Sequence, residues 1–152
     1  MIVVADTTPL NYLILIGEIE VLPRLYGRVV IPPAVHEELA HSRAPASVRA
    51  WIGQQPDWLE ILSPAPVVDA ALAGLDAGER EAIALAGQLS LSSDSIQLIV
   101  DELLGRREAE RRGLPVIGTI GVLREAATKD CLTCEAQLSV CARPASMSPR
   151  QF

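Results

Sequence analysis

Asp6 follows Ile2 to Ala5, a short apolar run of strand length, and Asp101 follows a second such run, Ile96 to Val100. A carboxylate placed directly after a buried strand emerges at that strand's carboxyl end, where open parallel sheets bind their ligands. Helical geometry adds two more acids. In the helix expected from Pro33 to about His41, setting Val35 at 0° puts Leu39 at about 40°, Glu38 at about −60° and Glu37 at about 200°. Glu38 therefore borders the apolar stripe and Glu37 faces away. In the helix expected from Ala77 to about Leu89, with Ile83 at 0°, Glu79 falls at about −40°, inside the apolar arc, and Glu81 near 160°, outside it. An inward carboxylate without a partner costs several kcal/mol or takes up a proton. The chain has a single lysine, Lys129, to offer as compensation. Bound Mg²⁺ or Mn²⁺ is the simplest alternative, since these hard ions take oxygen ligands from one or two carboxylates plus waters and phosphates. Such a site turns water into a nucleophile and clamps a phosphate under attack.

The elements that must position these acids alternate. The strand Ile2 to Ala5 enters a helix through Asp6-Thr7-Thr8-Pro9, and that helix ends at Gly17. Arg28 to Ile31 repeats the strand signal, Pro32-Pro33 breaks it, and Pro33 suits a first helical turn. A helix is expected around Ala46 to Gln54, a strand at Trp58 to Leu62, and the long helix from Ala77. Then come the strand ending at Val100, a helix from Glu102 to Arg112 stopped by Gly113, a short strand Val116-Ile117, and a helix from Thr119 to Ala127. Strands alternating with helices predict an α/β fold, a three-layer α/β/α sandwich with a central parallel sheet. The period dissolves after about residue 127, so residues 1–127 read as the domain and 128–152 as an atypical, loosely ordered tail.

Length and composition bound the function. The 152 residues make one domain, and a hydrophobic fraction of 49 % marks a core-forming chain. With five aromatic residues the chain cannot stack a run of bases on exposed rings. Its net charge of −6 excludes a groove that holds phosphates by bulk positive charge. Phosphate chemistry here must use local arginine or bound metal. Apolar runs fall far short of the ~20 residues that cross a bilayer, and the N-terminus lacks the basic start and cleavage site of a signal peptide; a cytoplasmic protein without a membrane segment is expected. Three cysteines, Cys131, Cys134 and Cys141, form neither a disulfide framework nor a complete zinc site.

The ordered set of motifs resembles the PIN-domain nucleases. It consists of Asp6-Thr7-Thr8-Pro9-Leu10 after a strand, Ile31-Pro32-Pro33-Ala34-Val35-His36-Glu37-Glu38-Leu39, Leu75-Asp76-Ala77-Gly78-Glu79-Arg80-Glu81-Ala82-Ile83-Ala84-Leu85-Ala86, Leu98-Ile99-Val100-Asp101-Glu102 with Gly105-Arg106-Arg107, and Gly113-Leu114-Pro115-Val116-Ile117-Gly118-Thr119. The likeness is greatest to the bacterial and archaeal branch that includes toxin-type ribonucleases of toxin-antitoxin pairs. The resemblance implies a compact domain, usually a homodimer, whose acidic pocket binds Mg²⁺ or Mn²⁺ and hydrolyses RNA phosphodiesters, with an antitoxin protein as partner. It implies Asp6, Glu38, Glu79 and Asp101 as metal-site and catalytic acids, Thr7 or Thr8 as the hydroxyl beside the first, and Arg106 as a phosphate contact. The branch commonly has a second aspartate where Glu102 stands, which leaves open whether Asp101 or Glu102 faces the metal.

Plainer roles compete with each of these. Asp6 and Asp101 each precede a helix and could simply cap it. Glu37, Glu81, Glu108 and Glu110 are expected on solvated helix faces, and the arginines at 107, 111 and 112, interleaved with Glu108 and Glu110, suit surface ion pairing. His36 and His41 are five residues apart, about 140° on a helix, which excludes a zinc-protease pair. A phosphoacceptor receiver domain would need a lysine on a late strand, and Lys129 lies beyond the last one. The competing function is a noncatalytic PIN-like module that binds a protein partner or RNA.

Overall fold

The computed structural model describes residues 1–66 and 68–130. The chain opens with β1 (Ile2–Ala5), α1 (Thr7–Leu15), α2 (Val21–Tyr26), β2 (Arg28–Ile31), α3 (Pro33–Ala40), α4 (Ala46–Gly53) and β3 (Leu59–Ile61). A 3₁₀ turn at Ala70–Leu72 leads into α5 (Ala77–Ser90), followed by β4 (Ile96–Ile99), α6 (Leu103–Arg111), β5 (Val116–Ile117) and α7 (Thr119–Thr128). The expected tail with its three cysteines lies outside the described residues, apart from 128–130.

All strand pairs are parallel, in the order β3-β2-β1-β4-β5. The chain builds outward from β1 to β2 and β3, then crosses through α5 to the other side of β1. The order thus reverses between β1 and β4, and a crevice opens there at the strands' carboxyl ends. Asp6 stands at that point: its N–H donates to Ile99 O at 3.0 Å, continuing the ladder one residue past Ala5.

The pleat divides the core. Val3, Ala5, Val29, Ile31 and Ile99 pack under α1, α2, α3, α4 and α7, whereas Val4, Val30, Ile96, Leu98 and Val100 pack under α5 and α6. Both sheet faces are covered, which is why the strands read as continuous apolar runs without alternation. The expected three-layer sandwich is the observed one. Sequence reading missed α2, a six-residue helix with Pro23 inside it, because fewer than two turns cannot display a helical period.

Leu98 is fully buried between Val4 of β1 and Val116 of β5. Leu98→Ala is expected to cost about 2–5 kcal/mol, the range for a large-to-small change in a close-packed core, as read by urea unfolding. A loss below about 1 kcal/mol would contradict the central placement of β4.

Candidate active site

Asp6 occupies the N-cap position of α1 with an extended backbone, yet its side chain makes no capping bond to that helix. It is 2 % exposed, and its Oδ1 has no hydrogen-bond partner. Continuing the β1 pleat, Asp6 falls with Val4 on the side of the sheet that α5 covers. There it meets Glu79, which is 4 % exposed and whose Oε1 is likewise unpartnered. Glu79 is carried in by the packing of Ala82, Ile83 and Ala86 along α5. Its N–H donates to Asp76 Oδ1 at 2.8 Å, which caps the helix.

Glu38 arrives from α3. Thr7 donates its hydroxyl to Glu38 Oε2 at 2.5 Å, tying the start of α1 to the third acid. Gly78 marks where these side chains converge: a Cβ built on it would lie 3.0 Å from Glu38 Oε1 and 3.1 Å from Asp6 Oδ1. Asp6 and Glu38 are therefore brought together, and Glu79, whose Oε1 lies beside Gly105 of α6, is within electrostatic reach of both. Thr8, half-buried in the first turn of α1, makes no hydrogen bond to these acids among the described residues.

Asp101 turns elsewhere. Its two oxygens accept from Thr119, Oδ1 from the N–H at 2.7 Å and Oδ2 from the hydroxyl at 2.6 Å. It caps α7, and not the helix that follows it in sequence; the N-cap of that helix, α6, is Glu102. The pleat explains the division. Ile99 faces the α7 side and Val100 the α5 side, so Asp101 falls toward α7 and Glu102 toward Glu79. Arg106 completes this edge: a Cβ at Gly118 would lie 2.9 Å from both Arg106 Nη1 and Asp101 Oδ1. Two arginines at the end of α6 behave differently, Arg111 and its C-cap Arg112 both pairing with Glu108 and Arg112 also with Asp69.

Two groups near the site were not singled out from sequence. Asp76 is exposed at the mouth, and its place three residues before Glu79, just ahead of an apolar-periodic helix, is the signal that could have found it. Glu81, expected to be solvated, instead accepts at Oε2 from Ala34 N–H at 2.9 Å. The start of α3 is built from Pro32 and Pro33, which offer no capping oxygen, and the neighbouring helix supplies one.

Burial holds the Asp6 carboxyl up at about 7 against an ordinary 3.8; the Thr7 amide offsets this in part, and the carboxylates of Asp76, Glu79 and Glu38 add to it. Glu79 is raised to about 7 from 4.5, first by burial and then by Asp76, Glu102 and Glu38. Two unpartnered, buried, proton-retaining carboxyls facing a third acid form an oxygen-rich crevice short of positive charge. They fit a hard divalent cation, which binds through one or two carboxylates and waters. Among the described residues no three His, Cys, Asp or Glu side chains are already spaced as a complete cage.

Residues 2–140 match the family model described as DUF3368: PIN domain. The chain belongs to this PIN-domain family. The match runs past Ala127 into residues beyond those described. PIN domains are commonly nucleases, and they generally use divalent metals. A PilT N-terminus domain protein from the hyperthermophilic archaeon Sulfolobus solfataricus P2 has a similar structure, with a TM-score of 0.55 and 18 % identity over 83 % of this chain and 93 % of that one. At that identity the likeness speaks for the fold. No curated protein matches the chain significantly.

The raised acids set the pH response of the metal-free PIN domain. A carboxyl that keeps its proton to about 7 when folded, but releases it near 3.8 or 4.5 when unfolded, contributes stability that is complete below those lower values. That contribution is lost as pH rises toward 7. Glu108, held at about 2 by Arg111 and Arg112, acts only below about 4.5. Thermal melts in EDTA are therefore expected to fall from pH 5 to pH 7.5 in the wild type and to fall less steeply in Asp6→Asn, where Glu79 remains raised. A wild-type melting temperature that rises over this interval would contradict the assignment.

Proposed function

We propose that this PIN domain is a Mg²⁺- or Mn²⁺-dependent endoribonuclease that hydrolyses RNA phosphodiesters. The observation that carries the proposal is the buried, unpartnered Asp6 Oδ1 converging with both Glu38 oxygens on the space beside Gly78; a second unpartnered oxygen, Glu79 Oε1, lies on the Gly105 side of the next residue. Asp6, Glu38 and Glu79 would hold the cation. When bound, it supplies Lewis-acid activation of water and of the phosphate. The chain supplies the rest. The Thr7 hydroxyl fixes one Glu38 oxygen so that the other can turn toward Asp6. Arg106, at the α6 edge, meets a phosphate oxygen with a charge-assisted bond. Burial of Asp6 and Glu79 keeps bulk water from screening the site.

For the fourth position, we assign Glu102 to the metal side, because it shares the pleat parity of Val100, on the face that α5 covers. Asp101 takes the positioning part, because both its oxygens are occupied by Thr119. The role of toxin, with an antitoxin protein as its inhibitor, rests on the likeness of the motifs to the toxin-type branch. A homodimer is supported by Tyr12 and Leu15 of α1 and its C-cap Ile16, which are 52 %, 48 % and 53 % exposed at i, i+3 and i+4. No helix among the described residues is long and apolar enough to cross a membrane, in keeping with action on RNA in the cytoplasm.

One observation favours a noncatalytic binding module, namely the lack of a preformed three-ligand cage among the described residues. Mg²⁺ sites completed by water and substrate phosphate do not need one. The two readings separate on chelation. The full chain is expected to cleave RNA with Mn²⁺ or Mg²⁺ and to stop in EDTA. Asp6→Asn, folded to the same extent, should lose at least about a hundredfold, the most that loss of outer-shell support usually costs. Glu102→Gln should slow cleavage with little change in melting temperature, while Asp101→Ala should cost about 1 kcal/mol of stability as a lost cap. RNA binding indifferent to EDTA and to Asp6→Asn, with no cleavage, would establish the binding module instead.

A further inference from the structure

Gly78 is the second residue of α5 and is buried beside Glu79. A Cβ at this position would lie 3.0 and 3.2 Å from the two Glu38 oxygens and 3.1 Å from Asp6 Oδ1. Three carboxylate oxygens from two other elements thus surround one small space that any side chain would enter. Backbone freedom does not explain the glycine: the described glycines with positive φ are Gly17, Gly27 and Gly113, and Gly78 has a conformation that alanine adopts. Glycine inside a helix is less favourable than alanine. Gly87, in the same helix, gives the contrast, since a Cβ there would meet nothing within 4 Å. At position 78 the missing carbon leaves room.

The walls of that room cannot easily give way. Glu38 is tethered by the Thr7 hydroxyl, and Asp6 is fixed by its backbone bond to Ile99 at the buried end of β1. The space is lined by acceptors with no donor facing Asp6 Oδ1, so a cation or its waters suit it and a hydrocarbon does not. We propose that Gly78 is a positioning residue that keeps open the oxygen-walled space for the divalent cation. This inference rests on the nuclease reading and goes beyond it in assigning a requirement to a residue with no side chain. A methyl group at position 78 would press Asp6 and Glu38 apart by a few tenths of an ångström, enough to spoil a site that needs its oxygens closely placed.

The test is Mn²⁺ binding by the full chain, read by electron paramagnetic resonance of free Mn²⁺ and by Mn²⁺-induced thermal shift, in wild type, Gly78→Ala and Gly87→Ala. Each protein is also melted in EDTA. Wild type and Gly87→Ala are expected to bind alike. Gly78→Ala should bind at least about tenfold more weakly, the scale on which displaced support reduces metal affinity, while its melting temperature in EDTA stays at or above that of the wild type. Gly78→Ala binding Mn²⁺ within twofold of wild type would overturn the role of Gly78 and leave the nuclease reading standing. Wild type failing to bind Mn²⁺ would overturn both. Loss of the folded state of Gly78→Ala in EDTA would also overturn the inference, because the glycine would then serve packing and not the ion.

Discussion

Asp6 and Glu79 are buried acids, each with an oxygen that has no hydrogen-bond partner, and the fold has to hold them there. Asp6 is the harder to move, because β1 is paired on both sides and its ladder continues through the Asp6 N–H. Glu79 is pressed in by one face of α5 and anchored at its backbone by Asp76. Glu38 depends on α3, which leans on its neighbours at two points, Thr7 from α1 and Glu81 from α5. Each polar tether contributes on the order of 1 kcal/mol. The two apolar layers supply the larger stabilisation, and the tethers decide where the acids collect.

That arrangement explains how an acidic protein can be suited to a polyanion. Its net charge is −6, and the two arginines at the end of α6, Arg111 and Arg112, are engaged by Glu108 and Asp69. No broad positive surface is built from α6. Under the nuclease reading, attraction for RNA is confined to a bound cation and Arg106, so recognition is tied to the place where the reaction occurs. Such a protein would hold RNA poorly away from its crevice, since counterion release scales with the number of phosphates neutralised.

Much of this was legible in residue order, for identifiable reasons. The strands show as apolar runs because both faces of the sheet are covered, and Pro32, Pro33 and Gly113 punctuate them. Glu79 was found because its angle on α5 lies inside an apolar arc. Glu81 was misjudged by the same arithmetic. An angle separates core from non-core, but it does not reveal that another helix lies on the non-core side with its first amides uncapped. Gly78 left no trace, because a pattern of side chains cannot register the space left by a missing one.

The choice between Asp101 and Glu102 was open in sequence for a different reason. Their order after a strand gives alternate faces by the two-residue period of the pleat, but nothing in residue order says which helix covers which face. With α5 and α6 packed against Val4, Leu98 and Val100, the assignment follows from the pleat alone. Asp6 shares the parity of Val4 and Glu102 that of Val100, so both fall on the face where Glu79 lies. Asp101 shares the parity of Ile99 and meets α7. Two adjacent acids at one strand end thus divide their work, one closing the start of a helix and the other edging the crevice, and the topology that places α5 after β3 decides which does which.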